Sequence, residues 1–280
     1  MGLIAMKQLV AIKQFVLPIF SPVSARLGLA LAGALMASVA QASDRVAKAY
    51  PAKDFSELVV TGNAHVEITQ NGSEYLRIET SPEVMERVKV DQTGKRLSIS
   101  VKHKGGIFDW FRSGDDHIQV ILHVKQLSQV ELAGAARARV GDLQGDSLRF
   151  EGSGAAAGDF KAVNIQNLVV GLSGASNVGI AKLNAINVKV ELSGASNLDV
   201  RQASSAQQLG ANVSGASSLR ARVLSTAHAE LDASGASRIE VTATHRLRAH
   251  ASGASVIDYF GNPKTETNSN GASHINARND

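Results

Sequence analysis

The sequence predicts an all-β protein, a parallel β-helix or solenoid wound from coils of about 20 residues. Three observations predict it. A small-residue tetrad, Ser-Gly-Ala-Ser or a close variant, recurs with its glycine at Gly134, Gly154, Gly174, Gly194, Gly215, Gly235, Gly253 and Gly271, at spacings of 20, 20, 20, 21, 20, 18 and 18 residues. Apolar and polar positions alternate with period two on both sides of each tetrad, the signature of short half-buried strands flanking a turn. No column of the repeat shows the three-and-four spacing of a helix, and helical repeats run to about 33 residues or more.

The columns are explicit when the copies are aligned on the residue before the glycine. Three positions before it stand Val130, Phe150, Val170, Val190, Ala211, Leu231, Ala249 and Thr267. Five after it stand Ala138, Gly158, Val178, Leu198, Leu219, Ile239, Ile257 and Ile275, and seven after it Val140, Phe160, Ile180, Val200, Ala221, Val241, Tyr259 and Ala277. Between them run polar columns, Glu131, Glu151, Gly171, Glu191, Asn212, Asp232 and His250 on one side and Arg139, Asp159, Gly179, Asp199, Arg220, Glu240 and Asp258 on the other. The tetrad glycines suit a corner that needs positive φ or close backbone approach, and Ala and Ser suit a crowded stack. They are read as a structural turn ladder, with Ser173, Ser193, Ser214, Ser234 and Ser252 stacked beside it. Each strand then bonds to its counterpart one coil on, so that eight coils make a rod about 40 Å long. No coil buries its own apolar face, and stability is shared between neighbours. Right-handed winding is expected from the general crossover rule.

The first 42 residues read as a secretory signal. They carry no acidic residue, place Lys7, Lys13 and Arg26 ahead of an apolar run from Leu27 to Val39, and end in Ala40-Gln41-Ala42. That 13-residue run falls short of the roughly 20 needed to span a bilayer, so no transmembrane span is expected after cleavage. The whole chain is +4, and the signal holds three of those charges, leaving 26 basic against 25 acidic residues. So balanced a chain offers no basic footprint for nucleic acid. The absence of cysteine excludes a disulfide framework and thiol chemistry. Residues 43–54 read as a linker and 55–280 as a single solenoid domain, with 127–277 its regular repeats.

Upstream of those repeats, Thr61-Gly62-Asn63-Ala64 is a degenerate tetrad, flanked by Leu58, Val66 and Ile68 in the expected columns. Residues 69–126 then leave the repeat as an excursion, read as strands at 75–80, 88–91, 96–102 and 117–124 with a hairpin turn at Thr93-Gly94. Such an excursion can close an end of the stack, where a bare coil would be an open sheet edge. Inside it lies the one tryptophan, in Gly-Gly-Ile-Phe-Asp-Trp-Phe-Arg. Lys104, Phe108, Trp110, Phe111 and Arg112 form a candidate partner-contact loop for a glycan, a protein or a membrane surface; the competing reading has the aromatics tucked onto the solenoid end.

Catalytic chemistry is not evident. None of the serine tetrads completes a nucleophile elbow, and a serine at every repeat points to stacking. Gly152-Ser153-Gly154-Ala155-Ala156-Ala157-Gly158 misses the dinucleotide fingerprint by one residue and is another copy of the repeat. His117 and His123 are six apart on an expected strand, about 20 Å, too far for one ion. No cofactor or metal is expected. A polysaccharide-cleaving β-helix needs clustered carboxylates with Arg or Lys on one face, and Gly171 and Asn212 interrupt the column of Glu131, Glu151, Glu191 and Asp232.

The Ser-Gly-Ala-Ser-Asn copies, the opening Phe55-Ser56-Glu57-Leu58-Val59-Val60-Thr61-Gly62-Asn63-Ala64-His65-Val66-Glu67-Ile68 and the ending Ile257-Asp258-Tyr259-Phe260-Gly261-Asn262-Pro263 resemble the putative auto-transporter adhesin head GIN domain family. The resemblance covers residues 55–277, and Tyr-x-Gly-Asn-Pro after a last Ser-Gly-Ala-Ser is its most specific part. It implies an exported bacterial β-solenoid and transfers no catalytic residues. The expectation is a non-catalytic periplasmic or extracellular protein that binds an envelope glycan or protein or has a structural role there. The alternative is a carbohydrate-active enzyme, lyase- or hydrolase-like, on a β-helix.

Overall fold

The chain is described by a computed structural model over residues 45–101 and 118–278. The expected signal, 1–42, and the candidate loop bearing Lys104, Phe108, Trp110, Phe111 and Arg112 lie outside the described residues. The rest is one continuous sheet of 18 strands with a single four-residue helix, α1 (Pro82–Met85), capped by Ser81. This is a β-solenoid of about eight turns with the expected coil spacing.

The regular part runs through strands β8 (Gln129–Gly134), β9 (Arg137–Gly154), β10 (Ala157–Leu172), β11 (Asn177–Leu192), β12 (Asn197–Val200), β13 (Ser204–Val213), β14 (Ser218–Ala233), β15 (Arg238–Ala251), β16 (Val256–Phe260), β17 (Lys264–Ser269) and β18 (His274–Arg278). Pairing is parallel throughout this part, in register one coil apart: Phe160 stands on Val140 and beneath Ile180, and Val170 on Phe150 and beneath Val190. The pairing of β10 with its neighbours skips at Lys161 and Gln166, so each coil has three sides. Taking the β10 coil, the first side (157–160) buries Gly158 and Phe160, the second (162–165) Val163 and Ile165, and the third (167–172) Leu168, Val170 and Leu172. Side chains of alternate residues point inward, which is why the sequence alternates with period two.

The tetrad forms the corner between the third side of one coil and the first side of the next. Its glycine has positive φ, +71° at Gly174, a conformation costly for any residue with a Cβ. Space gives a second reason. A Cβ on Gly174 would sit 2.6 Å from the Gly154 carbonyl oxygen, the atom that accepts the Ala175 N–H at 2.7 Å. The corner therefore stacks backbone on backbone, and only glycine leaves the room. The last tetrad residue turns inward: Ser176, Ser196, Ser217, Ser237, Ser255 and Ser273 are all buried. Their hydroxyls donate to carbonyls within the corner or one coil back, as Ser176 Oγ does to Ser173 O at 2.8 Å and Ser255 Oγ to Ala233 O at 3.2 Å. Buried hydroxyls satisfied in this way tie successive corners together rather than weakening the core.

The N-terminal end is wound out of sequence order. Strands β2 (Glu57–Gly62) and β3 (Ala64–Gln70) form a coil that stands beneath β8 and the start of β9. Its other edge pairs in parallel with β6 (Arg96–Val101) and β7 (Ile118–Val124), so the later residues form the earlier coil in space. Beyond these the pairing turns antiparallel. Strand β5 (Val88–Thr93) makes a hairpin with β6, β4 (Tyr75–Thr80) lies on β7, and β1 (Val46–Tyr50) lies on β4. Residues 46–50 were expected within a linker and instead supply this outermost strand; their exposed VAKAY pattern carries little apolar signal.

At the other end, Thr265, Thr267 and Ser269 stand over the buried Leu247, Ala249 and Ala251. Polar residues thus take the inward positions of the last described coil, which is fully exposed along β17. One side chain secures this end. Asp258 is buried at 5% exposure and is bonded by Arg238 (3.0 Å), Arg278 (2.8 Å) and Asn276 (2.9 Å). Burial alone would raise its pKa; the Asn276 and Arg278 hydrogen bonds and the two guanidinium charges more than offset this and hold it below the usual carboxylate range.

Because the folded value lies below the unfolded one of about 3.9, the contribution is full above that pH and is lost as pH falls through the folded value. Acidification is therefore expected to loosen residues 256–278 before the middle coils, read as faster amide hydrogen exchange there. Asp258→Asn is expected to lower stability near neutrality by about 2 kcal/mol, since it weakens charge-assisted bonds, and to remove that acid dependence.

Candidate functional site

The outward columns make the lateral faces, and two shallow depressions lie one on each side of the tetrad corner. The first side carries one of about 750 Å³, bordered by His65 and Glu67 on β3, Arg137 and Arg139 on β9, Asp159 on β10, Asn177 on β11, and Asn197, Asp199 and Arg201 on and just after β12. Its floor is low because Ala157, Gly158 and Gly179 occupy the middle coils. Arg201 belongs to the one 21-residue coil. It reaches over Gly179 to Asp159, two coils away, at 2.8 Å, and any side chain at 179 would occupy the guanidinium's place. Asp199 is held in turn by Arg220 at 2.9 Å, and Asn197 Nδ2 donates to Asn177 Oδ1 at 2.9 Å.

The third side carries the second depression, about 560 Å³, with Glu131, Glu151 and Glu191 around Gly171 and with Ser153, Ser173 and Ser193 along its corner edge. Each carboxylate has a cation close by: Arg96 for Glu131 (2.9 Å), Arg149 for Glu151 (3.1 Å) and Lys189 for Glu191 (2.8 Å). Glu151 and Glu191 are two coils apart, about 10 Å along the stack.

The structure thus distributes the residues singled out from the sequence. The eight tetrad glycines line one corner. The outer serines Ser173, Ser193 and Ser214 line its edge, and the Oγ atoms of Ser193 and Ser214 donate to carbonyls one coil back at 3.4 and 3.3 Å. His123 lies beside Asn71 (3.3 Å) and the Tyr75 ring, away from both depressions. His250 stands in register with Asp232 on the third side. No group of three or more His, Asp or Glu is placed to hold a metal ion among the described residues. Sequence reasoning missed the inner serines, because a Ser at a turn reads as a turn residue whichever way it points. It also missed the pair Arg137 and Arg139, whose interest lies in what surrounds them.

The fold recurs in solved structures. A "putative adhesin" of Parabacteroides distasonis shares 17% identity over 84% of this chain and 97% of its own, with a TM-score of 0.73. A second, from Parabacteroides merdae, shares 17% over 82% and 95%, with a TM-score of 0.72. A "putative lipid binding protein" of Parabacteroides distasonis shares 18% over 83% and 97%, with a TM-score of 0.70. At these identities the likeness establishes the fold alone. No curated protein matches the chain. Residues 54–263 match the family described as "Putative auto-transporter adhesin, head GIN domain". With three quarters of its length accounted for in this way, the chain belongs to that family.

Proposed function

We propose that this protein is an exported, non-catalytic recognition module that holds an envelope glycan or protein against its lateral faces, in an adhesin-like role. The observation that carries the reading is the outward columns, spaced by the coil rise and fixed by the backbone ladder beneath them. Rigid elements present side chains with little entropy left to lose, the condition that favours binding. The family's adhesin description and the secretory pattern of residues 1–42 support the same reading, with the periplasm or the cell exterior as the proposed location. The aromatic segment with Lys104, Phe108, Trp110, Phe111 and Arg112 is proposed as a further contact.

The alternative, a carbohydrate-active enzyme, draws on the Glu131, Glu151 and Glu191 column. Its weakness is chemical. A general acid must be free to reach the leaving group, whereas each of these carboxylates is already engaged in an ion pair, with Arg96, Arg149 or Lys189.

The reading is tested by probing residues 43–280 against immobilised envelope polysaccharides, peptidoglycan fragments and phospholipid vesicles, with Trp110→Ala in parallel. Saturable binding to one class is expected, weakened about tenfold or more by Trp110→Ala if the aromatic segment takes part. Absence of binding to every class, together with no specific protein captured from envelope extract, would overturn it.

A further inference from the structure

We propose that the depression on the first side binds a carboxylate-bearing glycan through Arg137 and Arg139; this rests on the recognition reading and names its ligand chemistry. The two arginines are two apart on β9, so both point outward on one face with Cα atoms about 7 Å apart. Both are exposed, and neither forms an ion pair with any described residue. Most arginines elsewhere on the coils are treated differently, Arg246 being an exception: Arg149, Arg201, Arg220, Arg238 and Arg248 all reach a carboxylate within 3.1 Å.

The local charges explain why the pair is left over. Arg139 stands in register between Glu67 and Asp159, but Asp159 is taken by Arg201, and Asp199, further along, by Arg220. Glu67 is then the one carboxylate left facing two guanidiniums. One anionic group would complete the balance, and the guanidinium fork matches a carboxylate in two-bond geometry.

The rest of the lining favours a sugar as its bearer. Beside Arg137 the next coils offer Ala157, Asn177 and Asn197, giving room followed by amides. The Asn197 amide nitrogen is committed to Asn177, which leaves the Asn197 carbonyl oxygen to accept a hydroxyl proton. Among the described residues, the lining holds no Phe, Tyr or Trp and no deep apolar pocket in which a peptide side chain could anchor. The nearly balanced charge of the exported part argues against indiscriminate capture of polyanions.

The test compares binding of polygalacturonate and its fully methyl-esterified form to the 43–280 protein, with Arg137→Gln/Arg139→Gln and Arg246→Gln/Lys264→Gln variants. Arg246 and Lys264 are a suitable control because they stand in register on adjacent coils, lack ion pairs among the described residues and lie outside the depression. Both double variants change exposed side chains only, and unchanged circular dichroism melting verifies their folding. The expected result is saturable, salt-sensitive binding of the free acid and little of the ester. Affinity should fall roughly 10- to 100-fold in the first variant and less than threefold in the second. Equal binding of acid and ester, equal loss in both variants, or no binding of polygalacturonate would overturn the proposal. If the protein then still binds another envelope polymer, the recognition reading survives and only the ligand assignment falls.

Discussion

Replacing Gly174 by alanine is expected to cost about 3 kcal/mol, a large effect for a single methyl group. Two terms combine. The left-handed backbone costs a residue with a Cβ about 1–2 kcal/mol. The added carbon would also meet the Gly154 carbonyl at 2.6 Å and displace the 2.7 Å hydrogen bond which that oxygen receives from Ala175, worth about another 1 kcal/mol or more. Gly94→Ala separates the terms. Gly94 also has positive φ, +58°, but a Cβ there meets nothing within 4 Å, so its cost should stay near the conformational term alone. Urea unfolding followed by circular dichroism measures both. Similar costs for the two variants would show that the corner is not held by backbone contact between coils.

Phe150→Ala is expected to cost about 3–5 kcal/mol, the range for a large aromatic lost from a tight core. Phe150 and Phe160 meet edge to face with centroids 5.3 Å apart, and both are almost fully buried. They fit because Gly152 and Gly158 lie beside them: a Cβ on Gly158 would stand 2.9 Å from the Phe150 ring. Two bulky residues and two glycines thus fill one layer, whose neighbours are filled by Val, Leu and Ile. Gly158→Ala alone is expected to cost about 1–3 kcal/mol through overpacking. Combined with Phe150→Leu, it should cost less than the sum of the two single changes, because the smaller side chain frees the space the methyl needs. Strict additivity in that cycle would contradict the packing described.

Two sides of the coil were legible in the sequence because their columns are almost unbroken. Val130 to Ala249 and Val140 to Val241 repeat an apolar residue at every coil, with polar neighbours between. The second side was not legible. Its inward column runs Leu143, Val163, Leu183, Ser204 and Leu224, and the serine breaks the apolar signal although it is buried. Ser204 survives there by donating to Gln202 O and accepting from Leu183 N, a solution visible only in three dimensions. The two ends of this side absorb the changes in coil length. The extra residue of the 21-residue coil enters between Val200 and Ser205, and the shortening to 18 appears as register shifts after Ala221 and Thr226. Side-chain columns blur where the register moves.

The N-terminal winding was hidden for a different reason. The strands at 75–80, 88–93, 96–101 and 118–124 follow from alternation, and β4 begins and ends where the alternation does. Which of them joins the stack in parallel depends on pairings between residues far apart in the chain. Leu97 and Ile99 pair with Leu58 and Val60, and Ile118 and Val120 with Ala64 and Val66. Nothing in their composition distinguishes these from the antiparallel β4. The candidate site was less legible still. Arg137 and Arg139 look like any surface pair until the coils are stacked and Asp159 and Asp199 are seen to be taken.

The central claim, that the protein recognises a polymer without transforming it, is tested most directly by one measurement. The 43–280 protein is titrated with the polymer it binds best, and the polymer's length distribution is followed by size-exclusion chromatography over a day at the same concentrations. Saturable binding with an unchanged distribution is the predicted result. A distribution that shortens with time, and stops shortening when Glu151 or Glu191 is replaced by glutamine, would contradict it and make the protein an enzyme.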